Sequence, residues 1–137
     1  MSPFRVLHVD DEPDIREIVE MALGLDPNLT VQGCASGAAG LVAVREGAPD
    51  LVLLDVMMPD MDGPTMLGHL RESPATANIP VVFMTARAQT REIEHFRSLG
   101  AVGVISKPFD PMTLAVALRR YSKDARIAPS TPALCGE

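Results

Sequence analysis

The sequence predicts a doubly wound α/β sheet of five parallel strands in the order 2-1-3-4-5, and three observations carry that reading. Apolar runs too short for helices alternate with stretches of helical hydrophobic spacing, and the alternation repeats five times. One run, residues 51–54, is Leu-Val-Leu-Leu, the pattern of a strand buried on both faces of a parallel sheet. Four runs end in polar residues: Asp10-Asp11 after 6–9, Asp55 after 51–54, Thr85 after 81–84, and Lys107 after 104–105. Ligands of open parallel sheets collect outside the carboxyl ends of the strands, so these residues are expected to converge.

The elements follow in order. Residues 6–9 form strand β1. Helix α1 presents Ile15, Ile18, Val19, Ala22 and Leu23 at i, i+3, i+4, i+7, i+8, carries Glu12 and Asp14 where the helix dipole favours anions, and stops near residues 24–27. Residues 29–34 are strand β2. Ser36 caps a small-residue helix, α2, with Ala38, Leu41, Val42 and Arg45 on one side, ended by Gly47 and Pro49. Strand β3 covers 51–54, and the loop 57–63 leads to α3, with Pro64 at its first position and Leu67 and Leu70 inward. Residues 74–80 connect to strand β4 at 81–84. Helix α4 spans 91–99 with Ile93, Phe96 and Leu99 inward, and β5 spans 102–106. Asp110 as cap and Pro111 in the first turn start α5, whose inner face is Leu114, Ala117, Leu118 and Tyr121.

Right-handed crossovers with helices on both faces give the flavodoxin-like order 2-1-3-4-5, with β2 at an edge. The polar ends lie on β1, β3, β4 and β5, so the strand left out is the edge strand β2. One domain is expected over residues 4–121. Residues 122–137 hold two prolines, one glycine and no periodicity, and are expected to form a flexible tail too short for an output domain.

A chain of 137 residues with 47% hydrophobic residues suits a single core, and with no Trp and one Tyr that core must be aliphatic. A net charge of −6 argues against direct nucleic-acid binding, which rests on phosphate neutralisation by Lys and Arg. Cys34 and Cys135 are too far apart in sequence to suggest a disulfide framework or metal spacing. The start enters a strand without a signal-peptide core, and no apolar run is long enough to span a membrane. The expectation is a cytoplasmic protein.

Asp10, Asp11 and Asp55 together would place three negative charges in one cleft, an unfavourable arrangement unless a cation joins them. Oxygen donors without clustered Cys or His imply a hard cation, and Mg²⁺ held by few carboxylates and water fits best. The excess charge over Lys107 is offset by one such ion, leaving a pocket able to receive a phosphoryl group. Phosphoryl transfer needs positioning and charge stabilisation, which a metal, an ammonium and a hydroxyl supply, and a carboxylate can be the nucleophile.

Four ordered motifs, His-Val-Asp-Asp-Glu-Pro at 8–13, Leu-Leu-Asp-Val-Met-Met-Pro-Asp-Met-Asp-Gly at 53–63, Met-Thr-Ala at 84–86 and Lys-Pro-Phe at 107–109, together resemble the receiver domain of bacterial two-component response regulators. The resemblance covers about residues 4–121. It implies that Asp55 is the phosphoacceptor, that Asp10, Asp11, Asp55 and the Met57 carbonyl hold Mg²⁺, and that Lys107 pairs with the phosphoryl group. It further implies that Thr85 moves toward the phosphoryl oxygens and shifts the α4, β5, α5 surface toward a downstream protein. The donor would be a sensor histidine kinase or a histidine phosphotransfer protein. The chain would be a stand-alone regulator or a receiver cut from a longer chain, a monomer or weak homodimer, with no turnover beyond its own phosphorylation and dephosphorylation. The Lys107–Pro108 bond is often cis in this family. Val104 stands where the family commonly has Tyr or Phe, so Thr85 and the loop after it are expected to carry the switch.

Three other functions compete. An aspartate-nucleophile phosphohydrolase of the haloacid dehalogenase type would show Asp-x-Asp, whereas Asp55-Val56-Met57 lacks the second acid. A nucleotide or flavin module would want a glycine-rich turn after β1, where residues 10–13 offer acids. A scaffold receiver that works without phosphorylation would not need every acid, Thr85 and Lys107. Elsewhere His8 reads as a satisfied core histidine, His69 and His95 as residues on solvated faces, Arg119-Arg120 as charges favouring the end of α5, and Met57 and Met58 as packing.

Overall fold

The computed structural model of the protein describes residues 3–130, beyond residue 122 as backbone alone. Five βα units follow one another: β1 Phe4–Val9, α1 Pro13–Leu23, β2 Leu29–Cys34, α2 Gly37–Glu46, β3 Leu51–Asp55, α3 Gly63–Glu72, β4 Val81–Thr85, α4 Thr90–Ser98, β5 Gly103–Ser106 and α5 Leu114–Ser130. All strands are parallel in the order β2-β1-β3-β4-β5, as the sequence predicts.

The all-apolar β3 run explains the layering. Leu51 and Leu53 face a core shared with Val19 and Leu23 of α1 and Leu114 and Leu118 of α5. Val52 and Leu54 face a second core with Val44 of α2, Met66 and Leu70 of α3, and Phe96 of α4. Period-2 alternation thus feeds both faces of the sheet from one strand. Each such fully buried side chain contributes about 1.5–3 kcal/mol, which makes the central strands the rigid frame for the residues at their ends.

Helix starts follow local chemistry. The Ser36 side chain accepts from the Ala39 N–H at 3.1 Å, and Asp62 accepts from the Thr65 N–H at 2.9 Å, satisfying otherwise orphaned donors. Asp110 accepts from the Met112 N–H at 2.9 Å and so caps a turn over residues 111–113 that precedes α5, rather than α5 itself.

Several faces differ from the sequence reading. On α2 the buried residues are Gly37, Gly40, Ala43 and Val44, while Val42 is 52% exposed. The reason is close approach: a Cβ on Gly40 would lie 2.8 Å from the Met66 Cε and 2.9 Å from the Val9 Cγ2. Glycine carries no hydropathy signal, so the buried stripe is rotated from the expected one. Ile18 of α1 and Leu99 after α4 point outward, because each helix has one sheet-facing stripe already filled by Val19, Ala22 and Leu23 or by Phe96.

Helix α5 runs on to Ser130, within the segment 122–137 expected to form a flexible tail. Residues 122–128 contain neither Gly nor Pro, and Ala125, Arg126 and Ala128 are good helix formers. Residues 131–137, with Cys135, lie outside the described residues. Arg119 and Arg120 are consequently inside α5. Arg119 reaches Asp26 Oδ2 at 2.7 Å and the Asn28 carbonyl at 3.2 Å, and its guanidinium lies 5.1 Å from the Phe4 ring centroid. It fastens α5 to the turn before β2. No helix among the described residues is long and apolar enough to cross a membrane.

Candidate functional site

The strand register steps the polar ends into one place. Val9 pairs with Leu54, so Asp10 and Asp55 follow side by side; Asp55 pairs with Met84, Thr85 with Ser106, and Lys107 comes next. Asp10 is 0% exposed, Asp55 4%, and Asp11 sits half-buried at the rim. One carboxylate oxygen from each of the three lies within 4.8 Å of the others. Lys107 Nζ stands 3.0 Å from Asp55 Oδ1 and 3.4 Å from Asp10 Oδ2.

Backbone contacts hold these groups still. Asp10 Oδ1 accepts from the Glu12 N–H at 2.9 Å, its N–H donates to the Cys34 carbonyl at 3.0 Å, and its carbonyl accepts from Arg16 Nη1 at 2.6 Å. Gly63 begins α3 hard against the end of β3: a Cβ there would lie 2.6 Å from the Asp55 carbonyl oxygen, and its N–H donates to the Val56 carbonyl at 2.9 Å. Only glycine permits that approach, which closes the loop 56–62 over the cleft. Asp60 in this loop adopts φ 69°, a conformation that Asp tolerates better than most residues.

Burial pushes the Asp55 carboxyl above the usual carboxylate range, and the charges of Asp10 and Asp11 push the same way against the Lys107 hydrogen bond. Burial likewise raises Asp10, although the Glu12 N–H and Lys107 oppose it. Burial alone would lower Lys107, but the hydrogen bond to Asp55 and the charges of Asp10 and Asp55 outweigh it and raise its pKa. The carboxylates therefore form an under-neutralised set. Three oxygen donors with excess negative charge suit a hard divalent cation such as Mg²⁺, with water completing its shell.

Thr85 is buried at the end of β4, where its Oγ1 accepts from the Arg87 N–H at 3.1 Å and its carbonyl accepts from the Lys107 N–H at 2.8 Å. The Lys107–Pro108 peptide is cis. Met58 packs in the core, but Met57 is 78% exposed, so its side chain is not packing as the sequence suggested. His69 and His95 lie on exposed faces.

Three neighbours of the site are missing from the residues picked out by sequence as site members. Glu12 Oε1 lies 3.7 Å from Lys107 Nζ, and its adjacency to Asp10-Asp11 was the available signal. Arg16 clamps the Asp10 backbone, one helical turn into α1. His8 is 1% exposed, as a core residue should be, but it is not satisfied: its Nε2 has no hydrogen-bond partner among the described residues and lies 3.8 Å from Asp10 Oδ2. Burial, with Lys107 and Arg16 nearby, lowers its pKa to about 3 and keeps the ring neutral.

Val104 packs against the α2–α4 core. The aromatic near it comes from α5: Tyr121 lies across Gly103, where a Cβ would come within 2.1 Å of its ring, and its hydroxyl donates to the Val104 carbonyl at 3.3 Å.

The sequence model of the response regulator receiver domain matches residues 6–119. Response regulator Rre1 of Synechocystis sp. is 37% identical over 118 residues, covering 86% of this chain and 51% of that protein. The DNA-binding response regulator MtrA of Mycolicibacterium smegmatis is 38% identical over 116 residues, covering 84% and 49%. The chain thus spans about half the length of the relatives it matches. Among solved structures, chemotaxis protein CheY4 of Vibrio cholerae superposes with a TM-score of 0.81 at 29% identity, covering 88% of this chain and 99% of that one. The receiver domain of NtrX from Brucella abortus gives 0.76 at 28% identity, covering 86% and 98%. Sequence, strand order and the acidic cluster agree, and the chain belongs to the response regulator receiver domains, the phosphorylation-dependent signalling switches of two-component systems.

Proposed function

We propose that Asp55 accepts a phosphoryl group from a phosphohistidine, carried by a histidine kinase or a histidine phosphotransfer protein, with Mg²⁺ held by Asp10, Asp11, Asp55 and the Met57 carbonyl. The observation that carries this is the gathering of three carboxylate oxygens within 4.8 Å beside a single ammonium 3.0 Å from Asp55. Bound there, Mg²⁺ would supply charge neutralisation for the carboxylates and for the phosphoryl oxygens.

The remaining steps belong to side chains of the chain. An Asp55 carboxylate oxygen attacks phosphorus as the donor's P–N bond breaks, the imidazole nitrogen takes the electron pair, and an acyl phosphate results. Lys107, already on Asp55, turns its ammonium to the new phosphoryl oxygens. Thr85 donates its hydroxyl to the same group, giving up the bond from the Arg87 N–H. Because the Thr85 carbonyl holds the Lys107 N–H, motion at the end of β4 is transmitted to β5 and from there to the α4, β5, α5 surface. A downstream protein, or weakly a second copy, would read that surface. Turnover is confined to the protein's own phosphorylation and dephosphorylation.

The test is transfer from a phosphohistidine donor with and without Mg²⁺, followed by hydroxylamine, which cleaves acyl phosphates and spares hydroxyl esters. Mg²⁺-dependent, hydroxylamine-labile phosphate is expected. Phosphate that survives hydroxylamine contradicts the reading.

A further inference from the structure

We propose that His8 is a positioning residue for Asp10: its imidazole Nε2–H, 3.8 Å from Asp10 Oδ2, comes within hydrogen-bond reach on a small rotation of that carboxylate and fixes it in the orientation that holds the divalent cation. This rests on the reading of the acidic cluster as a Mg²⁺ site.

His8 is on β1 and Asp10, two residues on, directly follows its end, so the two side chains leave the chain on the same side. Its strand neighbours Val6, Leu7 and Val9 are apolar, the ordinary filling of a buried parallel strand. A fully buried imidazole in that row is costly unless its polar atoms are used. Yet Nε2 is shielded from solvent and has no hydrogen-bond partner among the described residues; the ionisable group facing it is Asp10, at 3.8 Å. A lone pair pointed at a carboxylate oxygen is repelled and an N–H is attracted, so Asp10 selects the tautomer protonated at Nε2.

The two oxygens of Asp10 are unequally held. Oδ1 has the Glu12 N–H at 2.9 Å, whereas among the described residues Oδ2 has only Lys107 as a hydrogen-bond donor, at 3.4 Å, and Lys107 makes its shorter bond to Asp55. At 3.4 Å that donor holds Oδ2 weakly even before phosphorylation, and a small rotation of the carboxylate toward His8 adds a second one and keeps the ligand oriented. Hydrogen bonds of this kind behind a ligating carboxylate commonly govern metal affinity.

The test is calorimetric titration of Mg²⁺ into the unphosphorylated chain, comparing His8→Met, which fills the space without a donor, and His8→Gln, whose amide nitrogen has a similar reach. Affinity is expected to fall about tenfold in His8→Met and to stay within about threefold of the native value in His8→Gln. Unchanged affinity in His8→Met overturns the proposal, and so does an equal loss in both variants, which would make the effect one of packing. Should His8→Met not fold, ring-nitrogen spectra of the native protein decide: a protonated Nε2 whose signal moves on adding Mg²⁺ supports the assignment, and an unprotonated Nε2 overturns it. A native chain that takes up no Mg²⁺ removes the metal site and this proposal together, a result distinct from native binding with an indifferent His8→Met.

Discussion

Lys107 Nζ stands 3.0 Å from Asp55 Oδ1 and 3.4 Å from Asp10 Oδ2, so one ammonium serves two buried carboxylates that end different strands. The pairing is incomplete by design of charge: three acids face one base, and both carboxyl pKa values rise because burial disfavours the ionised form. The site is thus destabilised in the metal-free state at neutral pH. Its function and its stability pull in opposite directions.

A direct consequence concerns Asp55→Asn. A carboxyl raised by folding opposes the folded state once it ionises, so a neutral isostere relieves that opposition while Lys107 keeps Asp10. Chemical denaturation at neutral pH without metal should show the variant more stable by about 1 kcal/mol. A less stable variant would mean that the Lys107 pair outweighs the repulsion.

His8 gives the fold an acid limb. Its folded pKa of about 3 lies below the ordinary 6.5, so between these values the unfolded chain binds a proton that the folded chain does not. Stability is therefore lost as pH falls from 6.5 toward 3, by a few kcal/mol at most. Asp10 and Asp55 act oppositely, losing stability as pH rises above the ordinary carboxylate range. Denaturation midpoints across this window should fall less steeply with acid in His8→Gln than in the native chain; parallel curves would show that His8 does not titrate as described.

Gly63→Ala probes the closure of the loop onto β3. The new Cβ would meet the Asp55 carbonyl oxygen at 2.6 Å, a backbone atom that cannot swing away. A loss of roughly 2 kcal/mol is expected, of the size that overpacking causes, together with slower phosphorylation because Asp55 itself shifts. Native stability with native phosphorylation would show that the loop yields without cost.

The switch should be visible at Thr85. With Val104 in place of an aromatic and Tyr121 lodged on Gly103, the proposed coupling from the site to β5 is through the Thr85 carbonyl, which accepts from the Lys107 N–H. Amide spectra of the phosphorylated chain should therefore move at residues 85–90 and in β5. Unperturbed signals at 85–90 would rule out this route.

The sheet order was legible because period-2 runs and helical spacing are distinct in this chain, and because Leu51 to Leu54 could only be a central strand. The site was legible because its residues sit at strand ends, where topology rather than side-chain detail brings them together. What hydropathy could not reveal were contacts made by residues without hydropathy: Gly37 and Gly40 turning α2, and Gly63 abutting Asp55. Nor could it show pairings across long separations, such as Arg119 with Asp26. The His8–Asp10 relation was hidden for another reason: an isolated histidine in an apolar strand looks the same whether its nitrogens are satisfied or not.

The central claim is that Asp55 is the phosphoacceptor of a Mg²⁺-dependent site. Its most direct test is peptide mass mapping after incubation with a small acyl phosphate. One phosphoryl group is expected on the peptide containing Asp55, absent in Asp55→Asn and absent when a chelator removes Mg²⁺. Phosphate that persists in Asp55→Asn, or that appears equally with chelator, would contradict it.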